Sequence, residues 1–252
     1  MDRLVELDRI TAGYGSQAVL KEVSLTIRDR DFIGVIGPNG GGKTTLLRVI
    51  IGLLAPFTGS VRYHATGEER YNFIGYLPQL MQFDPRFPIT AMDVVLSGIM
   101  KGNRLMRRVT AREREQALQL LEQMGVANLH NKAIGELSGG ERQRLFLCRS
   151  IISGPRLLIL DEPDTFVDNR FEHDLYEILR DLNERMAVIM VSHDLGTISA
   201  NVKTIACVNR NLHYHPSNVI TEQQLAAYDC PIQLITHGNV PHTVLKKHEP
   251  WQ

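Results

Sequence analysis

The residues best suited to chemistry lie in one glycine-rich segment, Gly37-Pro38-Asn39-Gly40-Gly41-Gly42-Lys43-Thr44. Its spacing follows the pattern G-x-x-x-x-G-K-[ST], in which glycines let successive backbone N–H groups surround phosphate oxygens. Lys43 would reach the β- and γ-phosphates as a point charge, the Thr44 hydroxyl would ligate Mg²⁺, and Thr45 extends the predicted contacts. The segment therefore predicts a nucleotide-binding loop, and the alternative is a glycine-rich turn that binds nothing.

Two adjacent carboxylates, Asp161 and Glu162, follow the apolar run Leu157–Leu160. Ligands of α/β proteins bind at the carboxyl ends of strands, which is where this run places both side chains. We expect Asp161 to hold Mg²⁺ through water and Glu162 to orient or deprotonate an attacking water. A solvated acidic turn is the alternative, but the second carboxylate favours hydrolysis over binding alone.

These residues need strands and helices to position them. Phe32–Ile36 leads into the glycine-rich segment, and the helical run Thr45–Ile51 follows it. Continuous apolar runs are typical of parallel strands that are covered on both faces. Residues 92–152 show helical periodicity instead, so we predict an α/β sheet with an inserted helical segment at about 80–153. The other predicted strands are Leu4–Ile10, Ser24–Ile27, Val61–Tyr63, Phe73–Tyr76, Leu157–Leu160, Val188–Val191 and Ile205–Val208.

Composition excludes several classes of protein. The 252 residues are 43% apolar and 22% charged, as in globular domains, and the formal net charge of zero provides no basic field for nucleic acid. Cys148, Cys207 and Cys230 form no C-x-x-C pair, which argues against a zinc ribbon or a disulfide framework. No apolar run approaches the roughly 18 residues that cross a bilayer. We expect a cytoplasmic protein with reduced thiols and no nucleic-acid partner.

The segment Leu137-Ser138-Gly139-Gly140-Glu141 precedes a predicted helix, Arg142–Ile152. By itself, Ser138-x-x-Glu141 is a capping box, an ordinary start of a helix. Together with the glycine-rich segment and Asp161, however, it resembles the signature motif of the ABC-transporter ATPases. The resemblance covers residues 4 to about 210. It also rests on Tyr14 in Ala12–Gly15, Gln79 in Gly75–Gln79, Asp168, and His193 in Ser192–Asp194.

The resemblance implies a fold. This is a P-loop NTPase (RecA-like) α/β fold with a mixed, mainly parallel sheet core, an N-terminal antiparallel β subdomain and an inserted helical subdomain. A single ATPase domain, 1–252, would comprise a nucleotide-binding core at 1–79 and 154–210, a helical signature subdomain at 80–153, and a tail at 211–252. ATP and Mg²⁺ are the implied cofactors.

The resemblance also assigns roles to single residues. Tyr14 would stack on adenine, an interaction worth roughly 1–3 kcal/mol per base. Gln79 would contact the metal or the attacking water and report the nucleotide state to the helical subdomain. His193 would donate a hydrogen bond to the γ-phosphate. The implied catalytic set is Lys43, Gln79, Glu162 and His193, and the implied metal ligands are Thr44, Gln79 and Asp161.

In this family each ATP lies between two chains. The resemblance implies that the helix after Ser138 points its N-terminus, with Ser138, Gly139, Gly140 and Glu141, at the γ-phosphate bound by another copy. Two identical chains would bury two ATP molecules across an isologous interface, and hydrolysis would loosen the pair. Asp168 would cross this interface.

The cargo is suggested by the stretches Phe83–Gly98 and Ile235–His242 and by Glu141, which resemble ATPases of zinc and manganese uptake systems. We therefore expect a motor for a divalent-metal importer at the cytoplasmic face of the cell membrane, with separate permease subunits and, indirectly, an extracytoplasmic binding protein. Iron-chelate or cobalamin-type cargo, a soluble nucleic-acid or ribosome-associated ATPase, and an idle nucleotide-binding scaffold are the alternatives. The tail histidines, such as His213 and His215, are interpreted as scattered surface residues.

Overall fold

The computed structural model describes residues 2–65, 72–79, 84, 87–99, 109–163, 169–192, 195–218, 232–237 and 240–245. The chain divides into two compact units, Met1–His64 with Ala187–Gln252, and Ala65–Met186. Over the ranges just given, no helix is both long and apolar enough to cross a membrane. In chain order the elements are β1 (Arg3–Tyr14), β2 (Gln17–Arg28), β3 (Phe32–Ile36), α1 (Lys43–Ile51), β4 (Thr58–Tyr63), β5 (Ile74–Leu77), α2 (Ala91–Ser97), α3 (Ala111–Gln123), α4 (Gly139–Ile151), β6 (Leu157–Asp161), α5 (Asn169–Asn183), β7 (Ala187–Val191), α6 (Leu195–Asn201), β8 (Thr204–Asn209), β9 (Asn211–His215), β10 (Ile232–His237) and β11 (Val240–Leu245).

A three-stranded antiparallel sheet forms the N-terminal part of the first unit, with β1 between β2 and β4. Register shifts interrupt the β1–β2 pairing, and Arg9 and Glu22 have positive φ angles of 46° and 50° there. Such irregularities disturb the alternation of buried and exposed residues that marks a half-buried strand. The predicted strands Leu4–Ile10 and Ser24–Ile27 are therefore parts of two 12-residue strands. The predicted antiparallel β subdomain is confirmed.

A mainly parallel set of strands forms a second sheet region of this unit, in the hydrogen-bonded order β7, β3, β8, β9. β3 pairs in parallel with β7 and β8, whereas β9 runs antiparallel to β8. Every residue of β3 and β7 is buried, as expected for strands that are covered on both faces. The predicted mixed sheet is confirmed here. A separate antiparallel pair, β10 and β11, lies later in the chain.

The second unit combines the parallel pair β5 and β6 with helices. All five residues of β6 are buried, and α2 packs on α3 and α4. Each of these three helices begins with a capping box, formed by Thr90, Thr110 and Ser138. Two short 3₁₀ turns lie between α3 and α4, at Ala127–Leu129 and Ile134–Glu136. Helices α2, α3 and α4 confirm the predicted helical character for the described residues between 92 and 152, while the subdomain boundaries at 80 and 153 remain a prediction.

Two helices begin earlier than the sequence predicts. The first begins at Lys43 instead of Thr45, and α4 begins at Gly139 instead of Arg142. Glycine has a low intrinsic helix propensity, which is why the pattern places the start of α4 after Gly140. In the structure, the Ser138 hydroxyl accepts a hydrogen bond from the Glu141 N–H in the first turn, and this cap favours a helix that starts at Gly139 and includes both glycines.

Candidate nucleotide-binding and hydrolysis site

The glycine-rich segment forms a tight loop between the end of β3 and the start of α1. Gly37 has a φ of 150°, and a Cβ built on it would lie 2.0 Å from the backbone oxygen of Val208. Gly40 has a φ of 75°, and a Cβ there would meet nothing within 4 Å. Position 37 requires glycine because β8 passes directly against the loop there. The backbone at Gly40, by contrast, borders open space that a ligand can approach.

Lys43 lies at the first position of α1 and is only 6% exposed. Its ammonium donates hydrogen bonds to the backbone oxygens of Gly37, at 2.9 Å, and Pro38, at 3.1 Å. These bonds hold a positive charge against the loop, next to the partial positive charge of the helix N-terminus. The combination of a fixed cation, a helix N-terminus and a glycine-rich backbone favours a phosphate group at this point.

The remaining loop positions are anchored in different ways. Thr45 is buried and Thr44 is half-buried, whereas Asn39 is exposed. The backbone N–H of Arg210 donates to the oxygen of Gly41 at 2.9 Å, and so ties the loop to the segment between β8 and β9. The structure therefore brings the predicted phosphate-loop residues together in one rigidly supported turn.

Tyr14 ends β1 in the same unit, with 46% of its surface exposed. Arg48 on α1 donates a hydrogen bond to the Tyr14 hydroxyl at 2.9 Å, and its guanidinium carbon lies 5.8 Å from the centroid of the ring. The sequence motifs did not identify Arg48. No short-range pattern could have done so, because the two residues are 34 positions apart and meet only through tertiary packing.

The two carboxylates that the sequence singles out, Asp161 and Glu162, lie in the second unit. Asp161 ends β6 and is 2% exposed, and Glu162 follows it at 8% exposure with a φ of 51°. The side-chain amide of Gln79, two residues after β5, donates a hydrogen bond to Glu162 Oε2. Because β5 and β6 are parallel neighbours, their carboxyl ends place Gln79 and Glu162 side by side.

Ser138 is the N-cap of α4, as the capping-box pattern predicts. Its backbone N–H donates to Glu141 Oε2 at 2.7 Å, and the Glu141 N–H donates to Ser138 Oγ at 3.3 Å. Hydrogen bonds from the backbone N–H of Ser138, and then from its side chain, hold the pKa of the Glu141 carboxyl below its usual value. Ser138 and Gly139 are exposed and Gly140 is half-buried, so the capping box presents a helix N-terminus to solvent.

Asp168, His193 and His215 are the remaining residues for which the sequence predicts a role or an environment. Asp168 and His193 lie outside the described residues. His215 is 5% exposed, so its interpretation as a surface histidine is wrong. Burial lowers the pKa of this imidazole, and nearby His213 lowers it further. Within the described part of the chain, no cluster of three or more histidine, cysteine or acidic residues could hold a metal ion.

Comparison with known proteins agrees with this geometry. The ABC transporter family matches residues 20–165. The chain is 38% identical to the zinc import ATP-binding protein ZnuC of Saccharophagus degradans, over 86% of this chain and 80% of that protein. It is 37% identical to a protein of Thermotoga maritima named "Probable metal transport system ATP-binding protein", over 88% of this chain and 89% of the relative. A solved dimeric ATP-binding cassette in a post-hydrolysis state, bound to ADP and phosphate, is similar with a TM-score of 0.72 and 25% identity over 86% of this chain and 100% of that one. The chain therefore belongs to the ABC transporter family, in which it is an ATP-binding subunit that hydrolyses ATP.

Proposed function

We propose that this chain is the ATP-hydrolysing motor of a membrane importer for divalent transition metal, zinc or manganese. The observation that carries the proposal is the 38% identity to a zinc import ATP-binding protein over 86% of this chain. The T. maritima relative, which is named for metal transport, supports the same cargo class. Iron-chelate and cobalamin-type cargo remain as outcomes of the test below.

The first part of the mechanism is binding of the triphosphate. Lys43 and the backbone N–H groups of Asn39, Gly40 and Gly42 bind the β- and γ-phosphates, and Tyr14 stacks on adenine. Mg²⁺ suits the predicted ligands Thr44, Gln79 and Asp161, because it prefers hydroxyl, amide and carboxylate oxygens. When bound, Mg²⁺ neutralises the charge that develops on the phosphates.

The second part is hydrolysis. Glu162 accepts a proton from the attacking water while that water attacks the γ-phosphorus and ADP leaves. Gln79 holds one oxygen of the Glu162 carboxylate, which fixes the direction of the other oxygen. The buried position of Glu162 supports this role, since a carboxylate with few rotamers keeps the water in line. His193 is assigned to the γ-phosphate from the family motif alone.

The third part is a homodimer. The exposed Ser138 and Gly139, at the N-terminus of the 13-residue α4, supply N–H groups and a helix dipole for a phosphate held by another copy. A dimeric relative bound to ADP and phosphate supports the same arrangement. Asp168 would cross the interface. Because each chain holds only half of each ATP site, hydrolysis would separate the two copies.

The fourth part is coupling to a membrane. Separate permease subunits carry the metal across, and a metal-loaded extracytoplasmic binding protein stimulates the cycle through them. The chain would then lie at the cytoplasmic face of the cell membrane. A short permease helix would dock on the stretch that resembles metal-uptake ATPases, in which Phe87 is 60% exposed.

The motor is tested with Glu162→Gln. This variant should bind ATP, hydrolyse it at least about 100-fold more slowly, and accumulate as a dimer with MgATP. Size-exclusion chromatography with light scattering, with and without ATP, measures the dimer. Glu115→Gln, at an exposed position of α3, is the matched control and should behave as the wild type. A Glu162→Gln variant that stays monomeric in both conditions would contradict the shared ATP site.

The cargo is tested on the complex purified from native membranes. After its permease has been identified, the ATPase rate is measured with its binding protein loaded with zinc, manganese, an iron chelate or cobalamin. Stimulation by zinc or manganese supports the proposal. Stimulation by an iron chelate or cobalamin alone would contradict the proposal and show that the motor serves the alternative cargo class.

A further inference from the structure

We propose that Arg48 is a positioning residue that holds the Tyr14 ring in the orientation needed to stack on adenine. This inference rests on the proposed adenine contact of Tyr14 and adds a second residue to it. Arg48 would act through Tyr14 alone, without contacting the nucleotide. It would therefore affect recognition of the base and leave recognition of the phosphates unchanged.

Two contacts join the residues. Arg48 Nη1 donates a hydrogen bond to the Tyr14 hydroxyl at 2.9 Å, and the guanidinium carbon lies over the ring, 5.8 Å from its centroid. A guanidinium within about 6 Å of a ring face is attracted by the electrons of the ring. Among the described residues no carboxylate forms an ion pair with Arg48, so this side chain has no competing acidic partner there.

The backbone of Arg48 is itself held in place. Its carbonyl oxygen accepts hydrogen bonds from Leu53, at 2.8 Å, and Leu54, at 3.1 Å, where α1 ends. A basic side chain is also favoured in the last turn of a helix by the helix dipole. Because α1 begins at Lys43, Arg48 connects the Tyr14 ring to the same helix that carries the phosphate loop.

The contact between Arg48 and Tyr14 matters for binding because the Tyr14 side chain is exposed. An exposed aromatic side chain at the tip of a hairpin samples several rotamers, and binding a base would then require one of them to be selected. Arg48 reaches the ring at its hydroxyl end, with the guanidinium carbon 5.8 Å from the centroid, which leaves a face of the ring for a purine. Because the ring is already held in one orientation, less conformational entropy is lost when the base binds.

The test measures binding of MgATP and of inorganic triphosphate by calorimetry. Arg48→Ala should raise the Kd for ATP about three- to tenfold, which corresponds to an exposed cation–π contact and one hydrogen bond. The Kd for inorganic triphosphate should not change, and KM for ATP should rise while kcat stays constant. Arg62→Ala removes another exposed arginine of the same unit and should leave all of these quantities unchanged.

Variants of Tyr14 separate this inference from the function on which it rests. Tyr14→Ala should raise the Kd for ATP, and adding Arg48→Ala to it should have no further effect. If Tyr14→Ala leaves the Kd unchanged, the proposed adenine contact fails. If Tyr14→Ala weakens binding but Arg48→Ala does not, or weakens triphosphate binding equally, the positioning role is overturned. Tyr14→Phe keeps the ring without the hydroxyl and should give an intermediate loss, which a folding defect would not produce.

Discussion

The side-chain amide of Gln79 donates a hydrogen bond to the carboxylate of Glu162, although 83 positions separate the two residues. Both follow neighbouring parallel strands, β5 and β6, so the contact is a direct result of the strand order. A hydrogen bond to an ionised carboxylate is stronger than one between neutral groups. Gln79 and Glu162, which the family motif assigns to catalysis as separate residues, therefore form one hydrogen-bonded pair.

Replacing Gln79 tests whether the Gln79–Glu162 pair acts in hydrolysis. Gln79→Ala should lower kcat by about tenfold or more, because the Glu162 carboxylate loses the partner that orients it. KM for ATP should change less than about threefold, since the phosphate loop is untouched. Phosphate release under steady-state conditions measures both. Gln123→Ala, at an exposed position of α3, is the control. A Gln79→Ala variant with lost ATP affinity and normal kcat would contradict this division of roles.

The contact between the phosphate loop and β8 predicts a difference between two glycines. Gly37→Ala places a methyl group 2.0 Å from the backbone oxygen of Val208, which cannot move without disturbing the sheet. We expect the free energy of unfolding to fall by about 2–5 kcal/mol. Gly40→Ala introduces only backbone strain, because its Cβ faces open space. It should lower the free energy of unfolding by about 1–2 kcal/mol. Urea denaturation measures both values, and equal losses would show that the Val208 contact is unimportant.

The capping box of α4 predicts a pH dependence of stability. The pKa of Glu141 is lowered by hydrogen bonds from Ser138, so this carboxylate stabilises the folded state above the ordinary glutamate pKa of about 4.3. The contribution is lost as the pH falls through the lower, folded-state pKa. Glu141→Gln should therefore be less stable than the wild type at pH 7, and the gap should close in acid.

The same box can be tested without a change in charge. Ser138→Ala removes the cap and should lower the free energy of unfolding by about 1 kcal/mol at pH 7. Urea unfolding at several pH values follows both variants, with Glu115→Gln as an exposed control. A difference between Glu141→Gln and the wild type that is independent of pH would contradict the assignment to the ionised carboxylate.

Part of this protein was determined by local sequence. The strands at Phe32–Ile36 and Leu157–Leu160 were predictable because burial on both faces demands an unbroken apolar run. The loop between Gly37 and Thr44 was predictable for a similar reason, since its backbone geometry and its charge both require specific residue types at fixed spacing. In each case the physical constraint acts on neighbours in the chain.

Only the tertiary structure decided which distant residues meet. Patterns in the sequence place Tyr14 in a glycine-rich turn and Arg48 on a helix, but hold no information on which helix face the turn approaches. His215 is a second case, since a polar residue in the tail is expected to be exposed, whereas this residue of β9, paired with Ile205 of β8, is buried. Residues in contact across an α/β sheet are brought together by strand order and helix packing, which depend on the whole chain, and therefore no local pattern could predict the contacts of Arg48 or the Gln79–Glu162 hydrogen bond.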